Sequence, residues 1–342
     1  MYDTILVTGG AGFIGSNLVR TLLDTYPEAH IINVDLLTYA GSLANLDGVV
    51  DNPRHTFVKA DIRSPNAIQD IFARYNPDAV IHLAAESHVD RSIHTPSEFV
   101  STNVLGTQVL LDCALRQWRT NPDKDICITY RNNCRFLYVS TDEVYGALDA
   151  SGRFCEDSPL APNNPYSASK AGAEMLVRAS CKTYGLPAII TRCANNYGPY
   201  QHPEKLIPRM VYAALARKPL PVYGDGLQVR EWVHVLDHCA ALTRVLEFGE
   251  IGEVYNIGGG EENEMTNLAL VKMILSALNF SDAKIAHVSD RPGHDFRYAL
   301  DCTKIKTELG WRPTRDFVSS IKETALWYAS HPERAREFAA VE

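Results

Sequence analysis

The chain has 342 residues, 46% hydrophobic and 22% charged, with a formal charge of −8. That length holds one large domain or two medium ones, and that charge argues against nucleic-acid and polybasic membrane surfaces as partners. No apolar run approaches the ~18–20 residues of a transmembrane helix, and the N-terminus enters a strand pattern without a cleavable leader, so a cytoplasmic protein is expected.

Thr4–Thr8 (TILVT) predicts a strand, followed by the glycine run Gly9, Gly10, Gly12 and Gly15 and by a helix with Leu18, Val19, Leu22 and Leu23 on one face. Strand, glycine turn and helix are the context of a dinucleotide fingerprint. Gly9, Gly12 and Gly15 let the backbone turn tightly and approach a pyrophosphate at the positive helix N-terminus. A second strand, His30 to Val34, ends in Asp35, about 20 residues further on, where a carboxylate binds the ribose 2′-OH of NAD and repels the 2′-phosphate of NADP.

Strands at His55 to Lys59 and Asp78 to Leu83 flank a helix over Asn66 to Tyr75, and a long helix spans about Pro96 to Trp118. Near-continuous apolar strands alternating with helices predict an α/β fold, a Rossmann doubly wound parallel sheet covered on both faces. His82, inside a strand, reads as a core histidine. Eight scattered cysteines without a CxxC pair read as reduced thiols, and no metal site is expected. Arg119 to Cys134 breaks the pattern as a surface insertion.

A fifth strand, Phe136 to Ser140, delivers Thr141, Asp142 and Glu143 to the strand end, where α/β folds bind ligands. Two adjacent acids suit a reaction that needs one base and one acid, because like charges push their pKa values apart. Period-two geometry would point them to opposite faces, so the backbone must leave strand geometry here. The next helix, Pro165 to about Tyr184, carries Tyr166 and Lys170 on one face at i and i+4. A neighbouring ammonium lowers a tyrosine pKa from ~10, which would let Tyr166 take a hydroxyl proton.

After a sixth strand, Pro187 to Thr191, the alternation gives way to short elements. Strands are expected at Pro219 to Tyr223 and Gln228 to Val235, and helices from about His202, over Leu236 to Glu247 and over Asn267 to Leu278. This predicts a Rossmann domain over 1–195 carrying the catalytic residues, and a smaller mixed α/β C-terminal lobe over 196–342, with some chain crossing back. Arg230 and Arg297 are candidates to clamp a diphosphate with planar forks. The tail from His331 to Glu342 reads as a short polar helix.

The segments GGAGFIGS, DLLTYAG, HLAAESHVDRSI, STDEVYG, PYSASKA, TRCANNYGPYQHPEKLIP, PVYGDGLQVREW and DRPGHDFRYA together resemble the dTDP-glucose 4,6-dehydratases of the extended short-chain dehydrogenase/reductase family. The resemblance implies a lyase with tightly bound NAD. It implies that Phe13, Ile14, Asp35, Leu36, Leu37, Thr38, Asp61, Ile62, Leu83, Ala84, Ala85, Ser87, Thr102 and Asn196 contact NAD, beside Tyr166 and Lys170. It places Ser87, Thr141, Asn195, Lys205, Leu206, Pro221, Val222, Tyr223, Arg230, Asn267, Asp290, Arg291, Pro292, Gly293 and His294 around a nucleotide sugar. It also implies a homodimer that packs the helices near 96–118 and 165–184 into a four-helix bundle.

The implied reaction is loss of water from dTDP-glucose. Tyr166 takes the C4 hydroxyl proton as hydride leaves C4, Thr141 binds the same oxygen, and Lys170 orients the cofactor ribose. Glu143 takes the C5 proton, protonated Asp142 serves the leaving C6 hydroxyl, and hydride returns to C6. UDP-glucose is the alternative substrate. A nucleotide-sugar 4-epimerase would share the fingerprint, Tyr166 and Lys170 without needing the acid pair. A catalytically silent NAD-binding module would need neither the pair nor the tyrosine.

Overall fold

The computed structural model describes residues 2–121, 129–280, 283–290 and 292–335. The chain opens with β1 (Thr4–Thr8), α1 (Phe13–Thr25), β2 (His30–Asp35), β3 (His55–Lys59), α2 (Pro65–Tyr75) and β4 (Ala79–His82). Next come α3 (Val89–His94), α4 (Pro96–Phe99), a π-helical segment (Val100–Leu105) and α5 (Gly106–Trp118). β5 (Arg135–Thr141), α6 (Pro165–Tyr184), β6 (Ala188–Cys193) and β7 (Asn195–Tyr197) follow. The remainder holds α7 (Leu206–Leu215), β8 (Leu220–Tyr223), β9 (Val229–His234), α8 (Val235–Phe248), β10 (Val254–Ile257), β11 (Glu264–Thr266), α9 (Asn267–Ala277), β12 (Ile285–Val288), α10 (Thr303–Leu309) and α11 (Phe317–Ala329).

The central sheet is parallel throughout, in the order β10-β6-β5-β4-β1-β2-β3. Its strands are apolar on both sides because both faces are covered. Ile5 and Val7 of β1 pack with Leu18, Leu22 and Leu242 on one face, and Leu6 packs with Phe72, Leu110 and Phe136 on the other. The expected doubly wound sheet is therefore observed. Its outermost strand β10 and the helix α8 come from beyond residue 196, the crossing back that the sequence allowed. A third core, with Ile207, Leu220, Trp232, Leu270 and Ile321, sits in the later part of the chain. There β11-β9-β7 and β12-β8 form two small sheets.

Three local features shape the site. Helix α6 starts sharply because Asn164 and Ser167 form a reciprocal capping box and Pro165 occupies its first turn. The predicted helix over Pro96 to Trp118 is interrupted by its π segment. There the Asn103 amide, 1% exposed, donates to the Glu86 carbonyl and to Ser169 Oγ and accepts from the Glu86 N–H. The wider turn aims that amide at both the loop after β4 and α6. His82 is a core residue, with Nδ1 2.7 Å from Thr8 Oγ1 and Nε2 2.9 Å from Thr107 Oγ1. Burial pulls its pKa down to about 3.

Within the expected insertion, Thr120 and Thr129 pair through their backbones at 2.8 Å, and residues 122–128 lie outside the described residues. In the expected tail helix, Pro332–Arg334 forms one 3-10 turn, and 336–342 lie outside the described residues. No helix among the described residues is long and apolar enough to cross a membrane.

Candidate active site

The carboxyl ends of β1, β2, β4, β5 and β6 open into one cleft of about 390 Å³. From the sequence-predicted set it gathers Gly9, Gly12, Phe13, Ile14, Gly15, Asp35, Leu36, Thr38, Asp61, Ile62, Leu83, Ala84, Ala85, Ser87, Thr102, Asn195, Asn196 and Lys205. Thr141, Asp142, Glu143, Tyr166 and Lys170 line the same space.

One end of the cleft fits a dinucleotide. Helix α1 begins at Gly12, with no side chain capping its first N–H groups, so those donors and the positive end of the helix face the cleft. The Asp35 carboxylate shapes the neighbouring wall by accepting from Ala11 N–H at 3.0 Å and from Leu37 N–H at 2.8 Å. Gly15 allows the tight approach, because a Cβ there would lie 2.1 Å from the Gly9 carbonyl oxygen and 2.6 Å from Gly10 Cα. These neighbours are backbone and cannot swing away. Gly15→Ala is therefore expected to cost about 1–3 kcal/mol and to lower NAD content, read by thermal unfolding and by cofactor absorbance after purification. A variant as stable and as loaded as the wild type would contradict this account of the turn.

The other end is built by β5 and the turn after it. β5 ends at Thr141, and Asp142–Tyr145 winds into one 3-10 turn, which is the required departure from strand geometry. Thr141 Oγ1 accepts from Glu143 N–H at 3.3 Å and donates to Asp142 Oδ1 at 3.2 Å. The two acids differ in exposure. Asp142 is 2% exposed, its Oδ2 buried without a hydrogen-bond partner among the described residues, whereas Glu143 is part-exposed and accepts from Asn164 Nδ2 at 3.4 Å. Burial, and then the Glu143 carboxylate, push the Asp142 pKa well above the usual carboxylate range. The sequence argument credited like-charge repulsion; the larger cause is burial.

The expectation for Tyr166 is corrected. Its pKa is raised, first by burial of the phenol and then by the Glu143 carboxylate. Lys170 does not outweigh this; its Nζ donates to the Val139 carbonyl at 2.8 Å and lies 4.3 Å over the Tyr138 ring. Burial pulls the Lys170 pKa down to about 8.

Several predicted residues stand away from the cleft wall. Pro221, Val222 and Tyr223 belong to β8, Asp290 and His294 lie beside its end, and Gly293, next to Pro292, faces the Asn163 carbonyl. Tyr223 Oη donates to Asp90 on α3 at 3.1 Å, and His294 Nδ1 lies 2.6 Å from Asp290. Leu206 and Asn267 begin α7 and α9, while Leu37 follows Asp35 with a left-handed φ of 58°. Arg291 lies outside the described residues. Arg230 is 6% exposed and donates to the carbonyls of Val229, Asp295 and Phe296. Arg297 is not an open clamp, since its fork is spent on Glu264.

The sequence reading missed Arg63, Ser140, Cys193, Gln201, His202 and Glu204, which also line the cleft. Cys193 ends β6 and Ser140 precedes the last residue of β5, so the rule that placed Thr141 could have found them. Glu204 is near His88 and Lys205, at 3.4 and 3.6 Å, a proximity that loop residues do not advertise in sequence.

The family model described as GDP-mannose 4,6 dehydratase matches residues 6–324. The dTDP-glucose 4,6-dehydratase of Neisseria meningitidis serogroup B is 50% identical over 337 residues, spanning 95% of this chain and 92% of that protein. The low-salt glycan biosynthesis protein Agl12 of Haloferax volcanii is 52% identical over 329 residues, spanning 96% and 99%. A crystal structure of dTDP-glucose 4,6-dehydratase from Streptomyces venezuelae with NAD and TYD bound matches with a TM-score of 0.88 at 49% identity, covering 96% of this chain and 98% of that one.

Proposed function

The chain belongs to the dTDP-glucose 4,6-dehydratases, within the wider family described as GDP-mannose 4,6 dehydratase, and from that membership we propose that it is a hydro-lyase converting dTDP-glucose to its 4-keto-6-deoxy derivative. The observation that carries the reading is the pairing of a buried Asp142, whose pKa burial raises, with a part-exposed Glu143 in the cleft that also holds Tyr166. An epimerase has no use for that pair.

NAD fits the glycine end of the cleft, with Phe13, Ile14, Asp35, Leu36, Thr38, Asp61, Ile62 and Asn196 as its walls and Lys170 toward its ribose. When bound it supplies the hydride acceptor for C4 and the hydride donor for C6. Tyr166 accepts the C4 hydroxyl proton, and Thr141 hydrogen-bonds that oxygen. The resulting ketone acidifies the C5 proton, which Glu143 accepts. Asp142 donates its proton to the C6 hydroxyl, which leaves as water, and Glu143 returns its proton to C5. Tyr166 has gained the proton that Asp142 has lost, and exchange through water restores both. The nucleotide end belongs to Asn195, Lys205 and the lobe residues Tyr223, Arg230, Asn267 and His294. Residues 1–195 would form the cofactor domain and 196–342 most of the substrate lobe.

Purified protein given dTDP-glucose deuterated at C4 is expected to yield a product lighter by one water with deuterium at C6. An isobaric product would indicate epimerisation, and absence of the label from C6 would sink the mechanism. A parallel run with UDP-glucose decides the base. The same reading makes the protein a cytoplasmic homodimer built on a four-helix bundle. Val100, Leu105 and Met175 leave apolar surface on the helices concerned, at 52%, 54% and 45% exposure.

A further inference from the structure

Tyr166, Lys170 and Glu174 stand four residues apart on α6 and share one helix face. The first two belong to the proposed reaction. Glu174 does not, and it is fully buried. Its carboxylate receives a fork from Arg192 on β6, with Nε at 3.2 and 3.0 Å from the two oxygens and one terminal nitrogen 2.7 Å from Oε2. The other terminal nitrogen of Arg192 donates to Tyr145 Oη at 2.8 Å and to the Glu156 carbonyl at 3.1 Å. Tyr145 Oη donates in turn to Asn256 Oδ1 at 2.8 Å. Tyr145 is the last residue of the Asp142–Tyr145 turn. The contacts therefore begin on the helix that carries Tyr166 and end on the turn that carries the acid pair.

A buried ion pair is weak evidence for stability, because well-packed apolar side chains often serve as well. Its distinctive property is direction, since a planar fork fixes the orientation of both partners. Direction matters here because a misplacement of about 1 Å can cost on the order of 100-fold in rate. We propose, resting on the dehydratase reading above, that Glu174, Arg192 and Tyr145 form a positioning link that holds α6 and the Asp142–Tyr145 turn in one rigid frame. Tyr166 and the acid pair can then address the neighbouring carbons C4, C5 and C6 of one sugar. The turn is held at its exit as well, where Gly146 adopts φ +86° and a Cβ would meet the Ala161 carbonyl at 2.4 Å. The Tyr145 ring stacks on Phe154 at 4.8 Å. Removing only the hydroxyl therefore cuts the link and leaves the packing.

Tyr145→Phe in the NAD-loaded enzyme is expected to keep C4 oxidation within about twofold and slow water loss about tenfold, so that reduced cofactor accumulates in a single turnover. Backbone amides of residues 142–146 are expected to exchange with D2O about tenfold faster, while those of α6 keep their wild-type rates. Arg192→Lys, which retains the charge without the fork, should give the same pattern. Wild-type partitioning and exchange in both variants would overturn the link. So would an equal loss of both steps with faster exchange throughout α6, which is general loosening. If the wild-type enzyme dehydrates neither dTDP- nor UDP-glucose, the functional reading fails separately and the exchange measurement still decides the link.

Discussion

Asp142→Asn is expected to oxidise C4 normally and to eliminate water roughly 100- to 10,000-fold more slowly, the usual worth of a positioned general acid. The amide keeps the shape and the Oδ1 that accepts from Thr141, so the cleft stays assembled, but the transferable proton is gone. A second consequence separates this from a packing defect. The Asp142 pKa is raised in the folded chain by burial and by Glu143, while the unfolded chain titrates near ~3.9. Between those two values the folded chain binds a proton that the unfolded chain does not. The stability present below the window is lost as pH rises through the folded pKa. Asparagine has no such titration. The melting temperature of Asp142→Asn relative to wild type should therefore climb as pH rises from about 4 toward neutrality. Any pH-independent cost of orphaned amide hydrogens shifts that curve without changing its slope. A flat difference, or elimination at the wild-type rate, would show that Asp142 is not the acid.

That prediction needed the structure. The sequence displays Asp142 and Glu143 as neighbours, and adjacency alone argues that their pKa values part. It does not say which acid is buried, because that depends on where the 3-10 turn after Thr141 points and on what closes over it. The cofactor half was more legible. β1, β2 and β3 are short strand-forming runs with punctuated ends and α6 is a 20-residue helix, and the first two strands carry the dinucleotide end in plain spacing, from Gly9 to Gly15 and on to Asp35. By contrast β7 and β11 are three residues long, too short for any period to show. β10 completes the sheet from a distant stretch whose partner β6 lies about 60 residues back, and only pairing reveals it. The π segment escaped because the residues Val100 to Leu105 suit an α-helix equally well. What distinguishes them is the destination of the Asn103 amide, a tertiary fact.

Tyr166→Phe should abolish C4 oxidation in a single turnover, with a loss of roughly 1,000-fold or more, while leaving substrate affinity little changed. The phenol ring packs edge-on against Phe99 at 6.4 Å, and phenylalanine preserves that contact, so lost chemistry and lost structure can be told apart by melting temperature. The pH dependence of the oxidation step tests the role more sharply. With burial and Glu143 raising the Tyr166 pKa, the phenolate is the minor form at neutral pH. Raising pH increases its share, and the oxidation rate should rise through neutrality. The rise has a limit set by Lys170, whose ammonium offsets the phenolate charge only while protonated and whose pKa is pulled down to about 8. Above that value the loss of the cation makes the phenolate harder to form, and the profile should turn over. Lys170→Met should lower the whole curve and remove the turnover, because the group that titrates there is gone. A flat oxidation profile in the wild-type enzyme, or an unchanged turnover in Lys170→Met, would remove Tyr166 or Lys170, respectively, from these roles.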